Sequence, residues 1–274
     1  MLFGSKRSAL AVSGVLLAVA VVGCGSSSGT PTAAPVSDPN EIITRSATGV
    51  AAIQTVHFDV AVGGSVNTSA LGSSGSALGL SGSLKLDGTT VSGDVDLQKQ
   101  AFHVTASMPT FLGLSADVIQ VDGFQYTKIS LVGDKYTKSA ASTLPIASAA
   151  PSATLDISNT VNTLKTSLAS AGVTATLVGR DQVGGRDSYH VAVALPKDLV
   201  NQGMGALSAA ASGISIDTAT LDYWVYVDSL NPAKMELKAT SAAVGNLTVT
   251  VTLTKYNQPV TITAPAAGEI QAGQ

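Results

Sequence analysis

Alternation of apolar and polar residues is the dominant pattern along this chain. It runs through residues 57–62, 91–97, 102–104, 234–239 and 247–254, and in the last of these Leu and Val are separated by a ladder of threonines. A period of two is typical of antiparallel strands that have one buried face and one solvated face. The pattern predicts about ten antiparallel strands.

A first helix is indicated before the strands begin. Asp38 is suited to the N-cap, Pro39 to the first helical position, and Glu41 completes the spacing of a capping box. Ile43, Ala47 and Val50 then recur at helical spacing, with Ile42 and Ile53 beside them. We expect this helix to end near Thr55.

Helical spacing returns in two later segments. One contains Ile157, Val161, Leu164 and Leu168, and the other contains Val200, Met204 and Leu207. Gly172 is placed as a C-terminal stop for the former, whereas two glycines weaken the latter. Three or more helices beside about ten antiparallel strands predict an α+β fold, with the helices on one face of a large sheet. A Gly/Ser-rich stretch from Gly63 to Gly82 fits either a long hairpin loop or a weakly patterned strand.

The amino terminus has the pattern of a bacterial lipoprotein signal. Lys6 and Arg7 precede an apolar run from Ala9 to Val22, and Cys24 follows a small residue directly. About 14 apolar residues are fewer than the roughly 20 that a membrane-spanning helix needs, which disfavours a retained transmembrane helix. We predict a signal peptide at residues 1–23, lipidation of Cys24, and a flexible tether at residues 24–37.

Composition narrows the classes of function. Loss of Lys6 and Arg7 with the leader lowers the formal net charge from −3 to −5, which argues against a nucleic-acid partner. Cys24 is the only cysteine, so no disulfide, thiolate nucleophile or cysteine metal site is available. Charged residues make up only 12% of the chain and the mean hydropathy is +0.33, which is consistent with an apolar surface in addition to the core.

Several segments, in order, resemble the LppX/LprG/LprA/LprF family of actinobacterial lipoproteins. They are VHFDV, VIQVDGFQYTKI, DKYTKS, LVGRDQVGGRDSYHVAVALP, LDYWVYVDSLNPAKMEL and KYNQPVTITAP. The resemblance implies a strongly curved antiparallel half-barrel with helices packed on its concave face, enclosing an apolar cavity. It also implies a lipid-binding domain at residues 38–265, followed by a C-terminal tail at residues 266–274.

Candidate catalytic chemistry is sparse. His57, His103 and His190 each lie at a polar position of a predicted strand, with no spacing suited to metal binding, so we interpret them as surface or hydrogen-bonded strand residues. Trp224, with Tyr223 and Tyr226, is consistent with strand packing or with contact to a sugar or headgroup. We predict no catalytic residue, metal or cofactor.

The pattern suggests residues for a ligand cavity and its rim. The helical candidates are Val161, Leu164, Leu168, Val200, Met204 and Leu207, and the strand candidates are Leu221, Tyr223, Val225, Met235 and Leu237. Met108, Phe111, Leu112 and Leu114 fall in a predicted loop and form either an apolar lip over the cavity mouth or a cluster that caps the core.

These features together predict an extracytoplasmic carrier, anchored to the membrane by acylated Cys24, that binds the acyl chains of a lipid or glycolipid and transfers it across the envelope. A membrane transporter is a further candidate partner. A structural or partner-binding envelope lipoprotein without a cavity is the alternative. A hydrolase of envelope lipids is a third hypothesis.

Overall fold

The computed structural model describes residues 36–67, 82–110, 113–141, 173–197, 216–241 and 245–271. All of them lie in one compact unit, Ala33–Gln274. The elements are α1 (Pro39–Val50), β1 (Thr55–Asn67), β2 (Ser83–Lys85), β3 (Thr89–Asp96), β4 (Ala101–Met108), β5 (Leu114–Val121), β6 (Phe124–Ile129), β7 (Thr137–Ala140), β8 (Thr174–Val183), β9 (Arg186–Ala194), β10 (Thr218–Tyr226), β11 (Pro232–Ser241), β12 (Gly245–Thr254) and a short 3-10 helix, Ala267–Glu269.

The strands form one open, curved antiparallel sheet in the order β7-β6-β5-β4-β3-β1-β12-β11-β10-β9-β8, with β2 paired to the end of β1. The sheet has 12 strands, more than the number predicted from alternation. Strands β7 and β8 follow one another in the described sequence but lie at opposite edges of the sheet.

Helix α1 begins as predicted and ends earlier. The Asp38 carboxylate accepts a hydrogen bond from the Asn40 N–H at 2.8 Å, as an N-cap does. The helix stops at Val50 instead of near Thr55, because Thr55 is already paired with Asp96 as the first residue of β1. Strand pairing therefore ends the helix, although the apolar spacing continues past Val50.

Two tight turns close hairpins at opposite ends of the described sheet. Gly184 and Gly185, both at positive φ, join β8 to β9, and Asp122 and Gly123 join β5 to β6 in the same way. Two successive residues at positive φ define a type I′ turn, whose twist matches that of the strands it connects. These turns fix the register of their strand pairs, and the register determines which residues lie side by side on each face of the sheet.

The Gly/Ser-rich region beginning at Gly63 is partly strand. Strand β1 continues through Asn67, while residues 68–81 lie outside the described residues. Gly64 has a φ of 104°, and an added Cβ there would lie 2.0 Å from the Asn246 carbonyl oxygen. Glycine is thus required where the end of β1 passes close to β12.

The segment after β12 is tied to the rest of the sheet by hydrogen bonds. The Asn257 N–H donates to the Thr55 carbonyl at 2.9 Å. Ile262 and Ile270 pack against a buried cluster of Ile119, Tyr126 and Tyr136. Residues 266–271 therefore contact the β7 end of the sheet.

Candidate functional site

A row of apolar residues crosses one face of the sheet from β8 to β6. Successive strand registers align one residue from each of ten strands in a row: Leu177, Val191, Tyr223, Met235, Val251, Val60, Val91, Ala106, Ala116 and Ile129. Every member is apolar or aromatic, because alternation places one phase of each strand on this side. We call this line of residues the apolar row and the side it occupies the apolar face.

Helix α1 closes one end of the apolar face. Ile42 is fully buried and packs with Tyr189, Val191 and Val225 in the principal core cluster. Apolar side chains removed from water in this way stabilise the fold by about 1.5–3 kcal/mol each. This end of the face is ordinary protein core.

A polar contact fixes the helix on the sheet. Ser46, which is fully buried, and the Tyr223 hydroxyl share a hydrogen bond of 2.7 Å. Burial raises the pKa of the Tyr223 hydroxyl to about 12, and the Ser46 hydrogen bond partly opposes that rise. The buried stripe of α1 thus includes Ser46, whereas the sequence pattern pointed to Ala47.

The remainder of the apolar face is only half-buried. Met235, Val251, Val60 and Val91 are all partly exposed along the row, in contrast to fully buried Val191. Leu237, Val249 and Val62 form a second, parallel line of half-buried apolar residues. Four central strands, β11, β12, β1 and β3, therefore present apolar side chains that the described elements do not fully cover.

A surface depression adjoins one end of the apolar row. Its volume is about 590 Å³, and its lining includes Ala106 and Ala116 together with the charged residues Asp117, Lys128 and Asp134. Asp117 and Lys128 are register partners in the strand phase opposite to that of Ala116 and Ile129, so these two charged side chains lie on the other face of the sheet, whereas Asp134 lies in the turn that follows β6.

The predicted strand candidates all lie on the apolar face, in different surroundings. Val225 is fully buried in the core cluster, and Leu221 and Tyr223 pack against that cluster. Met235 and Leu237 belong to the half-buried part. The six helical candidates, and Cys24, lie outside the described residues and remain predictions.

The predicted lip is partly strand. Met108 is the last residue of β4 and Leu114 the first of β5, and the two are register partners. The loop expectation is wrong for these two residues because strand pairing continues to the hairpin end. Phe111 and Leu112 lie outside the described residues.

The row residues on β1, β3, β4, β5 and β12 were not among the predicted site residues. The sequence did contain a pattern that could have identified them, since Val60, Val91 and Val251 occupy apolar positions in the alternating segments. What was missing was the register, which alone places them beside Met235.

The opposite face carries the three histidines, each paired with a carboxylate on a neighbouring strand. His57 Nδ1 lies 2.8 Å from Asp94 Oδ1, and His103 Nε2 lies 2.9 Å from Asp117 Oδ1. The interpretation of the histidines as hydrogen-bonded strand residues is confirmed. In the described part of the chain, no three His, Cys, Asp or Glu side chains are grouped as metal ligands.

The third histidine belongs to a larger network. His190 lies 2.8 Å from Asp222 and 3.0 Å from Asp181, and it stacks on Trp224 with ring centroids 4.3 Å apart. The Trp224 indole N–H donates to Asp181 at 2.9 Å. Trp224 and Tyr223 therefore pack on opposite sides of β10, which confirms strand packing.

No helix in the ranges described here combines the length and the apolar character needed to cross a bilayer.

Comparison with known proteins identifies the family. The family model described as LppX_LprAFG lipoprotein matches residues 38–262. The solved structure of the lipoprotein LppX of Mycobacterium tuberculosis is similar at 15% identity and a TM-score of 0.50, covering 83% of this chain and 100% of LppX. LprF from Mycobacterium bovis is similar at 17% identity and a TM-score of 0.50, covering 84% and 97%. No curated protein sequence matches. The chain belongs to the LppX_LprAFG family of lipoproteins.

Proposed function

We propose that this protein is a membrane-anchored extracytoplasmic carrier that binds the acyl chains of a lipid or glycolipid on the apolar face and transfers it across the cell envelope. The observation that carries the proposal is the half-buried part of the apolar row, from Met235 on β11 to Ala116 on β5.

The physical case is the cost of moving hydrocarbon through water. An acyl chain of about 16 carbons exposes roughly 15 CH₂ groups, and at about 0.8 kcal/mol each the penalty is on the order of 12 kcal/mol. A carrier must replace that water with apolar surface. A curved sheet lined by Val, Leu and Met can do so for varied acyl chains, because the hydrophobic effect has no directional requirement.

The turn at the end of the row suits a polar headgroup. Ser130 and Asp134 lie in the turn that follows β6 and line the depression together with Ala106 and Ala116. An amphiphile whose tails lie along the row would place its headgroup beside this turn. Specificity for a headgroup would then come from a few polar contacts, as in other small-molecule sites.

Membrane attachment is assigned to acylated Cys24. Membership of a lipoprotein family supports the signal peptide at residues 1–23 and the tether at residues 24–37. Diacylglyceryl chains hold a protein firmly, since each buried CH₂ adds about 0.8 kcal/mol. The domain at residues 38–265 would therefore work at the outer surface of the membrane, and its role is binding without catalysis.

The proposal is tested by native mass spectrometry of the compact unit, Ala33–Gln274, purified from a bacterial host, and by uptake of a fluorescent lipid. We expect bound lipid or saturable uptake. Val249→Gln places an amide on the apolar face and should weaken uptake about tenfold, on the basis of about 1.4 kcal/mol per factor of ten. Thr250→Gln, the next residue of the same strand on the opposite face, is the matched control and should leave uptake unchanged.

Two results would count against a carrier. Ligand-free protein with no uptake would favour a structural or partner-binding lipoprotein. Equal effects of Val249→Gln and Thr250→Gln would place binding somewhere other than the apolar face.

A further inference from the structure

The turn that follows β6 exposes two adjacent large apolar side chains. Leu131 is 56% exposed and Val132 is 80% exposed. The other exposed large apolar residues in the described ranges are Phe124 and Val178, which stand apart from this turn and from each other. The Lys138 ammonium lies 3.8 Å from the centre of the Phe124 ring, so that ring has a partner. Single exposed apolar residues are ordinary on protein surfaces, whereas contiguous exposed apolar side chains are a feature of protein and membrane interaction sites.

The turn is held in place by backbone hydrogen bonds. The Val132 and Gly133 N–H groups donate to the Ile129 carbonyl at 2.9 and 3.1 Å. The Ser130 N–H donates to the Ser115 carbonyl at 2.9 Å, and the Ser115 N–H donates to Ser130 Oγ at 2.9 Å. The two apolar side chains are thus presented by an ordered turn, and little ordering entropy remains to be lost when they bind.

This turn is continuous with the proposed lipid site. Ile129, immediately before it, is the last member of the apolar row. Ser130, Gly133 and Asp134 line the depression that contains Ala106 and Ala116. The tip therefore directly follows the last residue of the apolar row.

We propose that Leu131 and Val132 insert into the surface of the lipid bilayer to which the protein is anchored, so that the end of the apolar row opens onto the membrane. This inference rests on the proposed function, because it assigns the place where the lipid enters. Acyl chains would then move from bilayer to protein without crossing water.

The local charge and the length of the tether both allow Leu131 and Val132 to reach the bilayer. Asp134 and Lys135, which follow the tip, carry opposite charges, so no net charge opposes approach to lipid phosphates. Eleven residues lie between Cys24 and Val36, and a segment of this length can span at most about 40 Å when extended. Val36 packs against Tyr189 on β9, which is eight strand spacings from β6 in the sheet. At about 4.8 Å each these spacings amount to roughly 38 Å, so the extended tether is long enough for the β6–β7 turn to face the bilayer.

The test uses the full lipidated chain reconstituted into vesicles of phosphatidylcholine and phosphatidylglycerol. Cys24 is the only native cysteine and its thiol is blocked by lipid, so Val132→Cys offers one site for an environment-sensitive fluorophore. Val178→Cys, on the edge strand β8 and 57% exposed, is the matched control. Labelling of the parent chain should be negligible, which verifies that Cys24 is blocked.

We expect a blue-shifted emission at position 132, quenching by spin-labelled lipids, and protection from aqueous iodide, with none of these at position 178. Equal accessibility of the two positions to iodide would overturn the proposal.

A second variant separates this proposal from the proposed function. Leu131→Ser with Val132→Ser should leave the melting temperature and lipid binding from detergent unchanged, yet slow lipid transfer between vesicles at least about tenfold, given about 0.8 kcal/mol per buried CH₂. Unchanged transfer would overturn the role of the tip as the entry point. Insertion at position 132 in a protein that binds no lipid would refute the carrier function and leave the membrane contact supported.

Discussion

The hydrogen bond between Ser46 and Tyr223 provides a quantitative test of how α1 closes one end of the apolar face. The perturbation is a double-mutant cycle consisting of Ser46→Ala, Tyr223→Phe and the double variant. The two oxygens are 2.7 Å apart, Ser46 is fully buried, and Tyr223 packs against the core cluster, so each single change leaves the other hydroxyl without this partner.

The expected magnitudes follow from that geometry. An unsatisfied buried hydroxyl costs about 1–3 kcal/mol, while the net hydrogen bond contributes about 1 kcal/mol. Ser46→Ala also gains up to about 0.5 kcal/mol from the higher helix propensity of alanine. We therefore expect each single variant to lose about 1–2 kcal/mol and the double variant to lose less than their sum, with a coupling energy of about 1 kcal/mol.

Urea unfolding followed by the fluorescence of Trp224 measures these free energies, because Trp224 is the only tryptophan and lies next to Tyr223 on β10. A loss of 1 kcal/mol corresponds to about 2–4 °C in the melting temperature of a domain this size. The alkaline absorbance change of the phenol gives an independent check. Since the Ser46 hydrogen bond lowers the pKa of Tyr223, Ser46→Ala should raise that pKa further.

Strictly additive losses in the double variant would show that the two hydroxyls do not interact in solution. An unchanged pKa of Tyr223 in Ser46→Ala would lead to the same conclusion. Either result would refute the conclusion that this hydrogen bond fixes α1 on the sheet.

Three further predictions concern pH and packing. The pKa of Tyr223 is about 12 in the folded protein against 10.0 ordinarily, so its contribution to stability is complete below about pH 10 and is lost as the pH rises towards about 12. Denaturant titrations should show an alkaline loss on the order of 3 kcal/mol, which Tyr223→Phe removes. At the β3–β4 turn the Lys99 N–H donates to the Asp96 carboxylate and lowers its pKa. The contribution of Asp96 to stability is therefore present above its ordinary pKa of 3.8 and is lost as the pH falls below that value. Asp96→Asn should reduce the acid-induced drop in melting temperature. Gly93→Ala would place Cβ 2.6 Å from a carbonyl oxygen of β4 and should cost about 1–3 kcal/mol by thermal unfolding, whereas Gly133→Ala, with nothing within 4 Å, should be nearly neutral. Equal melting temperatures for these two variants would contradict the close packing at Gly93.

Much of the local structure could be predicted from the sequence because it depends on neighbouring residues. Asp38 and Pro39 placed the start of α1, and alternation placed Val60 and Val251 on the apolar side of their strands. The hydrogen-bonded role of the histidines followed from their polar phase. The family resemblance was recognisable for the same reason, since strands and turns recur in order along the chain.

The tertiary structure alone decided which residues meet. Alternation determines the side of a strand, but it leaves open the neighbour and the register, which depend on pairing between distant segments. Thus Met235, Val251 and Val60 form one row only because β11, β12 and β1 are adjacent and aligned. Pairing also made strand residues of Met108 and Leu114, where a loop was predicted.

Contacts between distant segments also decided where α1 ends and which of its sides is buried. Whether Ser46 or Ala47 faces the sheet depends on the rotation of the helix against β10, and the hydroxyl of Tyr223 favours Ser46. The sequence by itself determined the faces of the strands and the start of the helix. The division of the apolar face into a closed end and an accessible part was decided by where α1 packs on the folded sheet.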